Sequence, residues 1–323
     1  MNIRFFRIFS ALLLVVILIS ACSGGGASSA PKEPLRVEYT QWWPDYTLIV
    51  AKEKGFFDKA GVNVEPVYYA NFPQALTDLP AGKIDGALYA IGDALVISQS
   101  IGLKVVAAYD DGGYNTVVAR PDIASIADLK GQQVGVLIGS SYELFVRQMI
   151  KSAGLGPSDV KLVNVDPSEV PQRLSKDIAA GFVWFPDEAV VLGNHVIYQK
   201  EDAPGLFPDV IVFSEDVVKS RPDDIRAFLK AWFEAVEYRK QNPEEVREIV
   251  AKYTGLPLEQ IMIDDQIHIM NLQDNQASFQ PEGANGAFSL LQATEINAEF
   301  QTQSGTISKL PDFASFLDSS FLK

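Results

Sequence analysis

Two short runs in this 323-residue chain set aromatic faces beside a carboxylate: Trp42-Trp43-Pro44-Asp45 and Trp184-Phe185-Pro186-Asp187. An indole face attracts a cation or stacks on a flat heterocycle, and a carboxylate next to it adds opposite charge. The same residues also have a structural use. Proline suits the first helical position, and an acid in the first turn complements the helix dipole by roughly 0.3–1 kcal/mol. Aromatics at such a place serve equally well as staple or core. A lone run would favour the structural use. Its recurrence after two separate strand-like stretches favours two gripping faces across one cleft.

Catalytic chemistry finds little material. Cys22 is the single cysteine, and His195 and His268 are the two histidines, so no His/Cys metal set can be assembled and no metal is expected. Ser140-Ser141 lacks the G-x-S-x-G elbow of a hydrolase. His195 follows the second aromatic run closely enough to reach a pocket there, but a lone histidine is more simply structural. The chain is expected to bind and not to catalyse, without a cofactor.

The elements that must position these residues alternate. LRVEYTQ, VNVEPVYY and IDGALYA read as strands, separated by helices in YTLIVAKEKG and FPQALTDLPAG; KVVAAYD and NTVVAR follow. A second succession runs through the strands QVGVLI, VKLVNV and AGFVWF, with a helix over Ser140–Ala153. This alternation predicts mainly parallel sheets covered on both faces. Residues 35–117 with 214–323 make a first lobe and 118–213 a second, with crossings near Asn115–Arg120 and Val210–Ser214. Asp209–Val218 reads as the strand returning from the second lobe. In the last third, Phe228, Leu229, Trp232, Phe233 and Val236 form a helical stripe. Asn242-Pro243-Glu244-Glu245 reads as the start of a further helix that Gly255 ends. A doubly wound sheet binds ligands beyond the carboxyl ends of its strands, which is where both aromatic runs fall.

The formal charge of −14 excludes nucleic acid as a partner, because that binding needs clustered Lys and Arg. Arg4 and Arg7 precede the apolar run IFSALLLVVILIS, then Ser20, Ala21 and Cys22. The run is short of the roughly 20 residues that span a bilayer, so residues 1–21 read as a signal peptide. A cysteine after small residues resembles a bacterial lipobox, which implies lipid on Cys22. Residues 22–34, rich in Gly and Ser, then form a flexible tether. The expected location is outside the cytoplasm, anchored to the cell membrane.

AKEKGFFDKAGVNVEPV, LPAGKIDGAL, ASIADLKGQQVGVLIGSS and FVWFPDEA together resemble the nitrate/sulfonate/taurine and thiamine-precursor (SsuA/THI5-like) solute-binding proteins, from about Arg36 to past Asn242. The resemblance implies an α/β, type II periplasmic-binding-protein fold: two doubly wound lobes joined by a two-crossing hinge. It implies a monomer that closes on a small solute and delivers it to an ABC permease. Carried over loop by loop, it implies a pocket of Trp42, Trp43, Asp45, Asn71, Tyr89, Asp93, Tyr114 and Asn115 from the first lobe and crossing. The second lobe adds Ser140, Ser141, Tyr142, Asp166, Trp184, Asp187 and Glu188.

These loops hold acids and no Lys or Arg, which suits an aminopyrimidine or another amine. Each acid also has a structural use: Ser140 with Glu143, and Asp166 with Glu169, have capping-box spacing, and Asp45 and Asp187 fall in first helical turns. Helix amino ends bind anions without arginine, so taurine, an alkanesulfonate or nitrate stays open. A sensor domain feeding a membrane receptor would have the same pocket. Replacing Cys22 with Ala is expected to abolish lipid labelling and to release the mature domain or leave it uncleaved, as radiolabelled fatty acid and fractionation would show.

Overall fold

A computed structural model describes residues 33–323 apart from 71, 114, 184–185, 262–266 and 284–285. Among the described residues, ten strands form two five-stranded sheets. They are β1 (Leu35–Tyr39), β2 (Val64–Tyr68), β3 (Gly86–Ala90), β4 (Leu103–Asp110), β5 (Thr116–Ala119), β6 (Gln133–Val136), β7 (Lys161–Asn164), β8 (Ala180–Val183), β9 (His195–Gln199) and β10 (Asp209–Ser214). The first sheet has the order β2-β1-β3-β10-β4 and the second β7-β6-β8-β5-β9.

The two orders are the same pattern drawn twice, and each sheet is mixed: four strands run one way and one is inserted against them. β1 runs parallel to β2 and β3, and β6 parallel to β7 and β8. β10 is antiparallel to β3 and β4, and β5 antiparallel to β8 and β9. The reason is where the chain crosses. It leaves the first sheet at the carboxyl end of β4, so β5 enters the second sheet from that same edge and must run against its neighbours. β10 does likewise on the return. The expected crossings at Asn115–Arg120 and Val210–Ser214 are therefore displaced, since both stretches are largely strand. The connections are residues 111–115 and the stretch between Gln199 and Asp209. Boundaries at 117/118 and 213/214 would cut through β5 and β10. HVIYQ, read as no element from sequence, is the edge strand β9, paired only with β5.

Helix Pro222–Gln241 buries Phe228, Leu229, Trp232, Phe233 and Val236 against the first sheet, at the spacing the sequence shows. Phe57 stacks on Phe228 at 5.4 Å and Phe228 on Trp232 at 6.1 Å. Asn242 does not cap the next helix, Pro243–Thr254. Its amide donates to Tyr238 O at 3.0 Å, closing the previous helix instead. Glu245 turns to Lys54 Nζ at 2.8 Å and to Tyr238. Gly255 ends the helix with φ 73°, a left-handed conformation that glycine adopts without steric cost. In the second sheet, helix Ser141–Ser152 lays Phe145 and Met149 over Phe182 and Val134. Among the described residues no helix is long and apolar enough to cross a membrane.

Trp232 is fully buried between Phe228 and Tyr109. Trp232→Ala is expected to lower stability by about 3–5 kcal/mol, read as a fall in the urea midpoint at unchanged slope.

Candidate functional site

The carboxyl ends of β1, β3 and β6 and the amino end of β10 open onto one cavity of about 560 Å³. Trp42, Ile91, Asp93, Phe207 and Asp209 line it from the first sheet and the crossings, and Ser140, Ser141 and Tyr142 from the second. A further cavity of about 740 Å³ takes in Asp111, Lys200, Arg239, Lys240 and His268, but no loop that follows β1, β3 or β6. Position relative to the strand ends singles out the first.

The two tryptophans of the first aromatic run divide their roles. Trp42 is half-buried; its Nε1 donates to Asp110 Oδ2 at 3.0 Å, and its backbone N–H to Thr40 Oγ1 at 3.0 Å. Gly113, on the first crossing, lies flat against the indole: a Cβ there would sit 2.8 Å from Cη2. Trp43 faces inward, 5 % exposed, with the Arg239 guanidinium 5.0 Å from its ring and Tyr46 at its edge. Pro44 lies inside a short turn of 3-10 helix, Trp43–Asp45. Asp45 is 1 % exposed and accepts bonds from Thr40 N (2.8 Å), Thr40 Oγ1 (2.8 Å) and Tyr109 O–H (2.9 Å). It ties the loop to β4 and does not line the cavity.

Other expected pocket residues scatter similarly. Asp93, Asn115, Ser140, Ser141 and Tyr142 line the cavity. Tyr89 does not: it is buried within the sheet, donating to Ala75 O at 2.9 Å, because its strand position points away from the cleft. Asp166 is exposed and caps the turn Pro167–Glu169 through Ser168 N at 2.9 Å. Asp187 and Glu188 are exposed in helix Asp187–Val191 and are not among the lining residues. Cys22, Asn71, Tyr114 and Trp184 lie outside the described residues. The Ser140–Glu143 capping box does not form: Glu143 accepts from Gly139 N at 2.7 Å and pairs with Arg147, while Ser140 Oγ donates to Leu137 O. Tyr142 stacks on Phe182 at 4.4 Å.

Sequence reading missed Asp209, Phe207, Asn297 and Gln301. The last two are one turn apart on helix Leu290–Gln303, a spacing that puts them on one face but does not say what that face meets. Asn297 Nδ2 donates to Leu206 O at 3.0 Å, and Gln301 Nε2 to Gly92 O at 2.9 Å. Gln301 Oε1 is buried without a partner among the described residues.

Two carboxyls, Asp93 and Asp209, line this cleft, and no Lys or Arg is among its described lining residues. Behind it, Glu38 is fully buried; Oε2 accepts from Leu88 N at 3.0 Å and Oε1 is unpartnered among the described residues. Burial pushes Asp93 up to about 6, Asp45 to about 7 and Asp110 to about 6. Glu38 and Asp209 are pushed well above the carboxylate range, by burial first and then by neighbouring acids. A folded-state value raised in this way means the folded chain holds protons that the unfolded chain has released. Such a group destabilises the fold progressively as the pH rises from about 4 through its folded value.

A family model described as NMT1/THI5 like matches residues 44–246. A Brucella abortus (strain 2308) protein that carries a binding-protein name is 30% identical over 236 residues, spanning 68% of this chain and 71% of that protein. The periplasmic aliphatic sulphonate binding protein SsuA of Escherichia coli superposes with a TM-score of 0.64 at 18% identity, covering 88% of this chain and 91% of that one. The desulfurization enzyme DSZB superposes with a TM-score of 0.58 at 16% identity, covering 90% and 98%. The fold is that of the periplasmic binding proteins, and the chain belongs to the NMT1/THI5-like family.

Asp93 has a desolvated carboxyl and, among the described residues, no hydrogen bond to lose. Asp93→Asn is expected to match the wild type near pH 4 and to exceed it by roughly 1–3 kcal/mol near pH 8, in urea unfolding at the two pH values.

Proposed function

We propose that the solute of this ABC-importer binding protein is a small organic amine, an aminopyrimidine of the thiamine-precursor kind or a related base. The observation that carries this is the set of acceptors beside the Trp42 ring, Asp93, Asp209 and Gln301 Oε1, with no cationic side chain among the described lining residues. A ligand rich in N–H groups satisfies all of them, and an indole face favours a flat or cationic one. The specific observation on the side of a sulfonate is that helix Ser141–Ser152 presents its amino end, with Ser140 and Ser141, to the same cleft. Helix amino ends hold anions. The Asp93 carboxyl, largely ionised above about pH 6, weighs more than one helix end, because an anion would meet its charge directly.

Solute touching both sheets favours a closed arrangement of the clamshell, hinged at residues 111–115 and at the stretch before Asp209, which the permease would read. Binding, not catalysis, is the role we assign, although the fold also carries an enzyme. The protein works as a monomer held at the outer side of the cell membrane by lipid on Cys22, a reading that rests on the sequence motif alone.

A thermal-shift panel of aminopyrimidines, polyamines, taurine, alkanesulfonates and nitrate tests this. An amine at a hundred times its dissociation constant should add about 2.7 kcal/mol of stability. Trp42→Ala should weaken that amine at least tenfold, about 1.4 kcal/mol, while remaining folded. Stabilisation by anions alone would overturn the proposal.

A further inference from the structure

Asp110 ends β4 and Asp209 begins β10, the strands on which the chain leaves and rejoins the first sheet, and the two residues are direct cross-strand partners. Asp110 is fully buried. Its oxygens are committed as acceptors, Oδ2 from Trp42 Nε1 at 3.0 Å and Oδ1 from Gly112 N at 2.8 Å. Asp209 is partly exposed and lines the cleft. Two carboxyls on direct cross-strand partners in a desolvated site do not both ionise, because each charge raises the other's cost. The donors around Asp110 make it the charged member, so Asp209 carries the proton.

Among the described residues the surroundings offer no basic group that would dissolve this arrangement. Asp45, in the turn after β1, and Asp93, on helix Ile91–Ile97, add negative potential at Asp209, and Asp111 adds it at Asp110. Tyr109 donates to Asp45. Lys200 is drawn to Asp111 at 3.2 Å, and His268, beside the Ile269 bridge to Asp110, pairs with Asp274.

We infer that Asp110 and Asp209 act as one acid holding a single proton, and that an ammonium group captured in the cleft takes that proton's place on Asp209. This rests on the amine reading above and goes beyond it. The ammonium N–H donates to the Asp209 carboxylate, and the displaced proton passes to solvent. No covalent bond changes. The sign follows: a cation favours the ionised pair, so affinity rises with pH for as long as the free pair keeps its proton. Release of the solute is favoured where the medium is acidic. Trp42, bonded to Asp110, couples the aromatic wall to the same pair.

Putrescine is a suitable probe, because alkylammonium groups stay charged up to about pH 10. Calorimetric titration in buffers of different ionisation enthalpy counts the protons exchanged. The wild type should release about one proton per putrescine near neutral pH, with affinity rising up to about tenfold per pH unit. In Asp110→Asn the pair no longer exists, so binding should persist with well under one proton released and a flattened pH slope. Asp209→Asn should release none and bind at least tenfold more weakly; a thermal melt of each variant verifies folding. Putrescine binding to the wild type without proton release, or with the same release in Asp110→Asn, overturns the inference and leaves the amine reading standing. If putrescine and 4-aminopyrimidine are both inert while methanesulfonate stabilises the protein, the amine reading fails and the inference falls with it.

Discussion

A strand that enters a sheet from the edge where its neighbours end must run against them. That constraint organises this molecule. Both passages between the sheets leave from carboxyl ends, so β5 and β10 are antiparallel insertions that start at the cleft. The start of β10 then lies beside the ends of β3 and β4, which puts Asp209 against Ala90 and Asp110 in register. A purely parallel sheet would have no strand beginning at that edge, and no such carboxyl pair. The hinge and the polar floor of the cleft are thus consequences of one topological fact.

The floor is kept at a cost in stability. Glu38, Asp45, Asp93, Asp110 and Asp209 are all pushed upward, chiefly by burial, without a cation among the described residues to offset them. Structural acids elsewhere behave in the opposite way: Asp78, Asp159 and Asp177 pair with Lys83, Lys130 and Arg173, and are held below the usual carboxylate range. Titratable groups shifted together by burial beside a cavity mark it as a candidate binding site. The unpartnered Gln301 Oε1 belongs to the same picture.

The aromatic run shows how one motif serves packing and recognition together. Trp43 anchors the loop under Arg239, whose Nη1 also donates to Thr47 Oγ1 at 2.8 Å, and Asp45 closes it against Thr40 and Tyr109. With those two residues facing inward, Trp42 has one direction left, toward Asp110 and the cleft. Acid and proline are the scaffold, and a single indole is the working face. The second aromatic run does not match it in detail: its acid, Asp187, is exposed, whereas Asp45 is buried.

Local pattern by itself showed most of the strand and helix succession, the α/β class and the strand-end position of the first aromatic run, while the family resemblance pointed to Asp93 and Ser140–Tyr142. Period and turn chemistry are properties of neighbouring residues, so a single chain displays them. The tertiary structure alone decided which of Trp42 and Trp43 faces the cleft, that Tyr89 is core, and that Asp166, Asp187 and Glu188 stay outside the cavity. It also brought in Asp209 and, from a helix some two hundred residues after Asp93, Asn297 and Gln301. Side-chain direction depends on how each element is rotated against its sheet, and a cleft is assembled from segments far apart in sequence. The antiparallel run of β5 and β10 was hidden for the same reason: a strand's composition does not record the edge from which it enters.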